Sequence, residues 1–288
     1  MNEQNNQQNP FSKLEPSWKS WVIDCVERGC TLESMVKVMI KDGPFSEHLA
    51  KSIIKAARRE LKLELESEEQ FCPRPDINTQ ANYIDLDRRI NIVMTMNAPR
   101  IVVLANVLSD EECDALIAEA EAKLIRSLVV DANTEASVED SSRTSSYTMF
   151  QRGESPLLIT IEKRLAALAD WPIEKGEGLQ VLHYKTGEFY LPHFDWFDSK
   201  LQGHQARLKQ GKQRVGTFVL YLSDVEAGGS TSFPKFELEV RPHRGMAVFF
   251  ADIEPNGQPD NMTLHGSEPV IRGVKWVATK WLREEKFS

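Results

Sequence analysis

The second half of the chain is a series of short apolar segments interrupted by glycine and proline. Their length and composition are typical of β-strands, and they follow one another at regular spacing. Such a series predicts a sandwich or a barrel closed on itself, with helices packed outside one sheet. The segments are LQVLHY, FYLPHFDWF, RVGTFVLYL, ELEVRP, MAVFFA, TLHGSEPV and VKWVATKWL.

A strand and two helices are predicted before this series. Residues 100–107 are apolar and favour a strand, and Ser109 is placed to cap a helix over 110–127, whose first turn is acidic. A second helix is predicted over 155–168, ending before a Trp-Pro pair. Residues 98–288 are therefore expected to form one α+β domain.

The N-terminal region has a different pattern. Residues 1–16 begin with an Asn/Gln-rich tail that we expect to be disordered. Residues 17–68 show helical periodicity with glycine and proline stops, which predicts a small all-α region of three short helices. This region could support packing or a homo-oligomer, or recognise a partner peptide. Residues 69–97 mix prolines, asparagines and charges and favour a linker or an irregular crossover.

Composition narrows the class of protein. The 288 residues are 41% hydrophobic, enough for a buried core, and the net charge of -8 argues against a nucleic-acid partner. No apolar run approaches the roughly 20 residues of a membrane span, and the start lacks the features of a secretory signal. We therefore expect no membrane partner and a cytoplasmic location. The four cysteines are scattered, which favours reduced thiols over a zinc site.

A histidine and an aspartate two residues apart, His193 and Asp195 in LPHFDWF, point to one face of a strand. This pair permits metal chelation, although it could also be a polar interruption in an ordinary strand. His265 is placed to supply a third ligand. Two imidazoles and one carboxylate leave one side of a metal open, which suits non-haem Fe(II) and oxygen chemistry.

Lys275 is a lysine among apolar and aromatic residues of a strand, ten residues after His265. The Arg-Gly pair at 272–273 predicts a turn that would bring these two residues together across a hairpin. A buried lysine requires an anion nearby. A dicarboxylate that chelates the metal through a keto acid would place its other carboxylate there, with Tyr184 and Thr217 as additional hydroxyl donors.

Residues from about 98 to 285 resemble the prolyl 4-hydroxylase branch of the Fe(II)/2-oxoglutarate dioxygenases, in its bacterial form. The resemblance implies a double-stranded β-helix, or jelly-roll, core with flanking helices. It also implies Fe(II) on His193, Asp195 and His265, and 2-oxoglutarate on Lys275 with help from Tyr184 and Thr217. The segments that carry it are GEGLQVLHYKTGEFYLPHFDWF, QRVGTFVLYLSDVEAGGSTSFP, VRPHRGMAVFF and TLHGSEPVIRGVKWVATKWLRE.

The activity implied by this resemblance is hydroxylation of an unactivated C–H bond with release of succinate and CO2. It requires O2, with L-ascorbate as a candidate reductant. The expected substrate is a prolyl residue in a protein or peptide; a free amino acid or related small metabolite is the alternative. A metal-binding β-barrel that senses 2-oxoglutarate or iron without catalysis is a third hypothesis.

Substrate contacts are predicted from the same resemblance at Tyr190, Trp281 and Arg143. Arg143 lies in SSRTSS, within the polar segment 131–150, which resembles the mobile lid of these hydroxylases. Residues 199–214 form a local basic segment. They could be a solvated connection between strands, or an edge that attracts an acidic substrate.

Overall fold

The computed structural model describes the chain in two compact units, Met1–Glu69 and Gln70–Ser288. The predicted N-terminal tail falls mostly outside the described residues. No helix in the described part of the chain is long and apolar enough to cross a membrane. The described residues are 10–11, 13–28, 30, 32–60, 73, 82–127, 129–130, 137–138 and 141–287.

The first unit contains the three predicted helices, α1 (Pro16–Glu27), α2 (Leu32–Asp42) and α3 (Glu47–Glu60). Pro16 stands in the first turn of α1, where its missing N–H removes no intrahelical bond. The Ser46 hydroxyl accepts a hydrogen bond from the amide of Leu49 (3.3 Å), as a helix cap does. Apolar side chains of the three helices form one core of their own. The helical prediction for this region is confirmed.

In its described residues, the second unit is built from antiparallel strands and three α-helices. The helices are α4 (Asp110–Glu121), α5 (Pro156–Ala169) and α6 (Gln202–Leu208). The strands before α5 are β1 (Tyr83–Asp85), β2 (Arg89–Met96), β3 (Ile101–Ala105), β4 (Ile125–Arg126), β5 (Val129–Val130), β6 (Ser137–Val138) and β7 (Ser146–Phe150). Those after it are β8 (Gly176–Tyr184), β9 (Tyr190–His193), β10 (Arg214–Tyr221), β11 (Ala227–Gly228), β12 (Thr231–Phe233), β13 (Leu238–Val240), β14 (Ala247–Ala251), β15 (His265–Ser267), β16 (Val270–Arg272) and β17 (Lys275–Arg283).

Two facing sheets form the core of this unit. The large sheet has the order β1-β2-β3-β14-β10-β17-β8-β7-β4, and the small sheet has the order β13-β12-β15-β9. One face of the large sheet packs against α4 and α5, and residues of its other face cluster with residues of the small sheet. This is a jelly-roll sandwich with helices on one side, so the fold prediction is confirmed.

Strand β17 contributes side chains to both faces of the large sheet. All nine of its residues are buried, among them the polar or charged Lys275, Thr279, Lys280 and Arg283, because both faces of the sheet are covered. Trp276 and Ala278 belong to the cluster on the helix side, whereas Val277 belongs to the cluster between the sheets. Strand parity therefore places Lys275 on the inner face, toward the small sheet.

A buried ion pair links α5 to the outer face of β17. The Lys280 ammonium lies 2.5 Å from a carboxylate oxygen of Glu162, and both side chains are almost fully buried. A Cβ at Gly176 would lie 2.8 Å from the Lys280 side chain, so a larger residue there would displace this lysine. This lysine has its carboxylate partner within the protein.

The predicted linker over 69–97 is not what the structure shows for residues 82–97. These residues form β1 and β2, which extend the large sheet next to β3. Ile90 is fully buried and Ile92 pairs with Leu104. Alternating apolar residues in RINIVMTM carry the strand signal, and the prolines and charges that precede them obscured it. Helix α4 also ends at Glu121, earlier than the predicted 127.

The predicted hairpin between His265 and Lys275 is wrong. His265 pairs with His193 in the small sheet, and Lys275 pairs with Tyr184 in the large sheet. The strand between them, β16, pairs with β11 instead. The turn at Gly273, which has a positive φ of 89°, therefore leads from one sheet to the other. Because the sheets face each other, Lys275 reaches the strand of His265 through a hydrogen bond to Ser267.

Candidate active site

Three metal-binding side chains meet at one end of the small sheet. His193 ends β9, His265 begins β15 directly opposite, and Asp195 follows two residues after His193. Their ligand atoms all lie within 4.8 Å of one another. The Asp195 carboxylate is 3.8 Å from His193 Nε2 and 3.5 Å from His265 Nε2. The structure thus brings together the three predicted ligands.

Backbone carbonyls set the orientation of both imidazole rings. His193 Nδ1 lies 2.9 Å from the carbonyl oxygen of Leu191, and His265 Nδ1 lies 2.9 Å from that of Thr263. A carbonyl can only accept, so each Nδ1 carries the proton and each Nε2 keeps its lone pair. Burial, together with the nearby His265, lowers the pKa of His193 to about 3 and keeps it neutral. This donor set fits a divalent metal.

Thr217 holds the carboxylate of the triad. Its hydroxyl lies 2.9 Å from Asp195 and 2.9 Å from Asp252, and all three side chains are buried. Burial raises the pKa of Asp252 well above its ordinary value, and the charge of Asp195 raises it further. Since a hydroxyl has one proton, a protonated Asp252 would satisfy both contacts, with Thr217 donating to Asp195.

The predicted role of Thr217 as a donor to the distal carboxylate of a co-substrate disagrees with its position. Thr217 pairs with Trp281, which lies six residues from Lys275 along β17. At the rise of a strand this separation is roughly 20 Å. The sequence could not reveal it, because the distance depends on the register between β10 and β17.

Lys275 lies on the inner face of the large sheet with no ion-pair partner among the described residues. It is 1% exposed, and its ammonium donates a hydrogen bond to Ser267 Oγ at 2.8 Å. Burial lowers its pKa to about 7, and only the charge of Glu268 opposes this. Lys280 on the same strand has Glu162 beside it. The contrast indicates that Lys275 is placed for an anion that the protein does not supply.

Tyr184 is next to this lysine, as predicted. It is the register partner of Lys275, and its ring centre lies 5.3 Å from the ammonium nitrogen. Its side chain forms hydrogen bonds with Ser145 and Ser267, and burial raises its pKa, so the phenol stays protonated. Lys275, Tyr184 and Ser267 together form a cluster of hydrogen-bond donors.

One predicted substrate contact, Tyr190, lies against the metal-binding triad, and a second, Arg143, lies beside Tyr190. Tyr190 stacks on His193, with ring centres 3.7 Å apart. The Arg143 guanidinium lies 4.8 Å from the centre of the Tyr190 ring and donates to Gln180 Oε1 at 2.8 Å. Burial raises the pKa of Tyr190 to about 12, which keeps its hydroxyl as a neutral donor.

Trp281, the third predicted contact, is covered by the guanidinium of Arg214, 3.8 Å from its ring centre. Arg214 also forms a 2.7 Å ion pair with Glu177 and approaches Asp195 to 3.8 Å. We expected Arg214 to be part of a basic segment in solvent or at an edge. It is instead a largely buried residue of the site, so this part of the segment does not form a solvent-facing edge.

Two residues of the site, Asp252 and Ser267, were not predicted, although the sequence around each contains an indication of its role. Asp252 is a carboxylate directly after the apolar strand MAVFFA, where a buried acid requires a partner. Ser267 lies two residues after His265 on the same strand, so parity places both on one face. Strand parity around His265 would have found it.

A jelly roll that carries two histidines and one carboxylate beside a buried lysine has the composition of a non-haem iron oxygenase site. Comparison with known proteins agrees: residues 179–283 match the model of the 2OG-Fe(II) oxygenase superfamily. Relatives in Arabidopsis thaliana include probable prolyl 4-hydroxylase 3, 42% identical over 66% of this chain and 71% of the relative. Prolyl 4-hydroxylase 5 of the same plant is 39% identical, covering 66% and 70%.

A solved structure of a prolyl hydroxylase is also similar to this chain. The viral collagen prolyl hydroxylase of Paramecium Bursaria Chlorella virus-1, in its complex with 2OG, is 28% identical with a TM-score of 0.50. The match covers 64% of this chain and 95% of the viral one. The chain belongs to the prolyl 4-hydroxylase family of the 2OG-Fe(II) oxygenases. The predicted family is confirmed, and with it the requirement for Fe(II), 2-oxoglutarate and O2.

Proposed function

We propose that the protein hydroxylates prolyl residues of a protein or peptide, converting 2-oxoglutarate and O2 to succinate and CO2. The observation that carries this is a complete donor triad beside a buried lysine without an ion-pair partner in the described chain, in a member of the prolyl 4-hydroxylase family. Bound Fe(II) supplies the activation of O2 that attack on an unactivated C–H bond requires.

His193, Asp195 and His265 hold the metal in this proposal. The fixed Nδ1 hydrogen bonds direct both Nε2 atoms toward one point, and the Thr217 hydroxyl holds one oxygen of Asp195. Three protein ligands leave coordination positions open for the co-substrate and O2. The protein's contribution here is to orient the ligands through their hydrogen-bond partners.

Lys275 and Tyr184 bind the distal carboxylate of 2-oxoglutarate. A buried, charged ammonium makes strong hydrogen bonds to a carboxylate, and that carboxylate in turn stabilises the ammonium. The phenol of Tyr184 adds a neutral donor. These two residues orient the co-substrate so that its keto acid end faces the triad.

The substrate binds over Tyr190, with Arg143 and Trp281 at its sides. Tyr190 lies flat on His193, so a ring placed on this aromatic surface lies close to the metal position. The Arg143 guanidinium, oriented by Gln180, can donate to a peptide carbonyl. An aromatic surface with fixed donors suits an extended peptide that contains proline.

Incubation with Fe(II), 2-oxoglutarate and O2 tests the substrate class. Proline-rich peptides are compared with free amino acids, and products are identified by mass spectrometry as a gain of one oxygen. We expect oxygen gain on proline in the peptides, matched by succinate. Tyr190→Phe, which keeps the ring and removes the hydroxyl, is the matched variant for peptide binding. Turnover of a free amino acid without any peptide product would refute the proposal and select the alternative substrate class.

A homo-oligomer through the N-terminal helices stays a prediction. What supports it is the exposure of two large apolar side chains of that unit, Ile40 (45%) and Leu49 (41%). The native mass of the full chain should fall to that of a monomer when both become glutamate. A wild-type protein that is already monomeric contradicts this prediction.

A further inference from the structure

Among the described residues, the buried Lys275 ammonium donates a hydrogen bond to one side chain, the hydroxyl of Ser267, at 2.8 Å. A serine hydroxyl offers two lone pairs and one proton. Accepting from Lys275 uses a lone pair, so the hydroxyl proton stays available as a donor. A neutral acceptor of this kind holds an ammonium in place without neutralising it.

The position of Ser267 connects the two halves of the site. It follows His265 by two residues on β15, so both side chains lie on the face directed at the large sheet. Residues i and i+2 of a strand are roughly 7 Å apart. A 2-oxo dicarboxylate bound to the metal by its keto acid end would extend its other carboxylate along this same direction.

Tyr184 keeps a partner if the Ser267 proton turns toward a ligand. Its side chain is hydrogen-bonded to Ser145 as well as to Ser267, and Ser145 is fully buried. Ser145 in turn is 2.8 Å from the buried hydroxyl of Ser127. Ser145 therefore holds Tyr184 and is itself held by Ser127, so Tyr184 keeps a hydrogen-bond partner when Ser267 reorients.

We propose that Ser267 is a positioning and specificity residue for the co-substrate: it orients the Lys275 ammonium and donates its own proton to the distal carboxylate. This inference rests on the proposed function and adds a third donor to the two assigned there. Because the backbone of β15 fixes its separation from His265, the hydroxyl favours the five-carbon 2-oxoglutarate over the four-carbon oxaloacetate.

Anaerobic calorimetry on the full chain loaded with Mn(II), which does not support turnover, tests the proposal. We expect Ser267→Ala to weaken 2-oxoglutarate binding by about ten- to a hundredfold, the effect of losing a hydrogen bond to a charged group. Mn(II) affinity should stay within about twofold of wild type. The preference for 2-oxoglutarate over oxaloacetate should fall in the same variant, because the lost donor contacts only the longer ligand.

Two further variants separate this role from a loss of folding. Ser267→Thr keeps the hydroxyl and should bind 2-oxoglutarate within about threefold of wild type. Ser232→Ala is the matched control: Ser232 lies opposite Gly266 on the neighbouring strand, and its buried hydroxyl has no hydrogen-bond partner within the described chain. It should leave both affinities unchanged.

The outcomes distinguish the inference from the proposed function. If Ser267→Ala binds 2-oxoglutarate like wild type while Lys275→Ala does not, the inference is overturned and the proposed function stands. If Ser267→Ala loses Mn(II) affinity to the same extent, the serine supports His265 and the inference is also overturned. Failure of the wild-type protein to bind 2-oxoglutarate would overturn the proposed function itself.

Discussion

Replacing Lys275 by methionine removes a buried charge that the ligand-free protein holds without an ion-pair partner among its described residues. We expect this variant to be more stable than wild type when metal and co-substrate are absent. A functional group that is costly to bury often destabilises the fold around it. The same substitution should abolish 2-oxoglutarate binding, because the ammonium is lost.

The size of the gain follows from the pKa of Lys275, which burial lowers from 10.5 to about 7. At about 1.4 kcal/mol for each pKa unit, protonating this lysine in the fold costs on the order of 4 kcal/mol at neutral pH. Loss of the hydrogen bond to Ser267 offsets about 1 kcal/mol. The net stabilisation is therefore about 3 kcal/mol.

The pH dependence has a definite sign. Between the folded pKa of about 7 and the ordinary value of 10.5, the unfolded chain binds more protons at Lys275 than the folded chain. The contribution of Lys275 to the free energy of unfolding of the wild type therefore rises with pH in that window. The advantage of Lys275→Met should be largest at pH 7 and below, and should disappear as the pH approaches 10.5.

Urea denaturation of the metal-free and co-substrate-free protein measures the effect, at about pH 7 and about pH 9.5. Lys280→Met is the control on the same strand, because it leaves Glu162 buried without its partner. It should destabilise the protein by about 3–5 kcal/mol. If Lys275→Met is as destabilising as this control, the view of Lys275 as an uncompensated charge is refuted.

His193→Ala or Asp195→Ala should reduce Fe(II) affinity at least about a hundredfold, measured by competition with a chromogenic chelator; near-wild-type affinity would mean that the ligands are misassigned. Thr217→Val, which keeps the shape and removes the hydroxyl that holds Asp195, should weaken Fe(II) binding about tenfold. At saturating metal it should leave 2-oxoglutarate affinity unchanged, and a loss there would argue against its role at the triad. Binding of 2-oxoglutarate should weaken about tenfold for each pH unit above 7, since the ligand requires a charged Lys275; calorimetry that shows no change up to pH 9 would contradict this.

The local parts of the fold and site were predictable because their signals lie in adjacent residues. Alternating or continuous apolar runs between glycines and prolines marked the strands, and parity placed His193 with Asp195 on one face. Parity also groups Lys275 with Val277 on one face of β17, and the structure places that face between the two sheets. These inferences depend only on the period of a strand, which the sequence displays directly.

Features that depend on pairing between distant segments were not predictable. The turn before Lys275 leads to another sheet, and no residue near Gly273 distinguishes this from a hairpin. Thr217 supports Asp195 because of the register between β10 and β17. Arg214 is buried because Glu177, 37 positions earlier, pairs with it across the sheet. Each of these facts is a long-range contact, set by the packing of the whole unit.

The division of the site between two sheets has a mechanical consequence. His193 and His265 belong to the small sheet, whereas Tyr184 and Lys275 belong to the large one. A co-substrate held by the metal at one end and by Lys275 at the other would cross-link the sandwich from inside. Opening of the space between the sheets would then be restrained while the co-substrate is bound. Loss of CO2 would leave succinate, which is one carbon shorter and has lost the keto acid, so the link between the sheets would be weaker after the chemical step and product release easier.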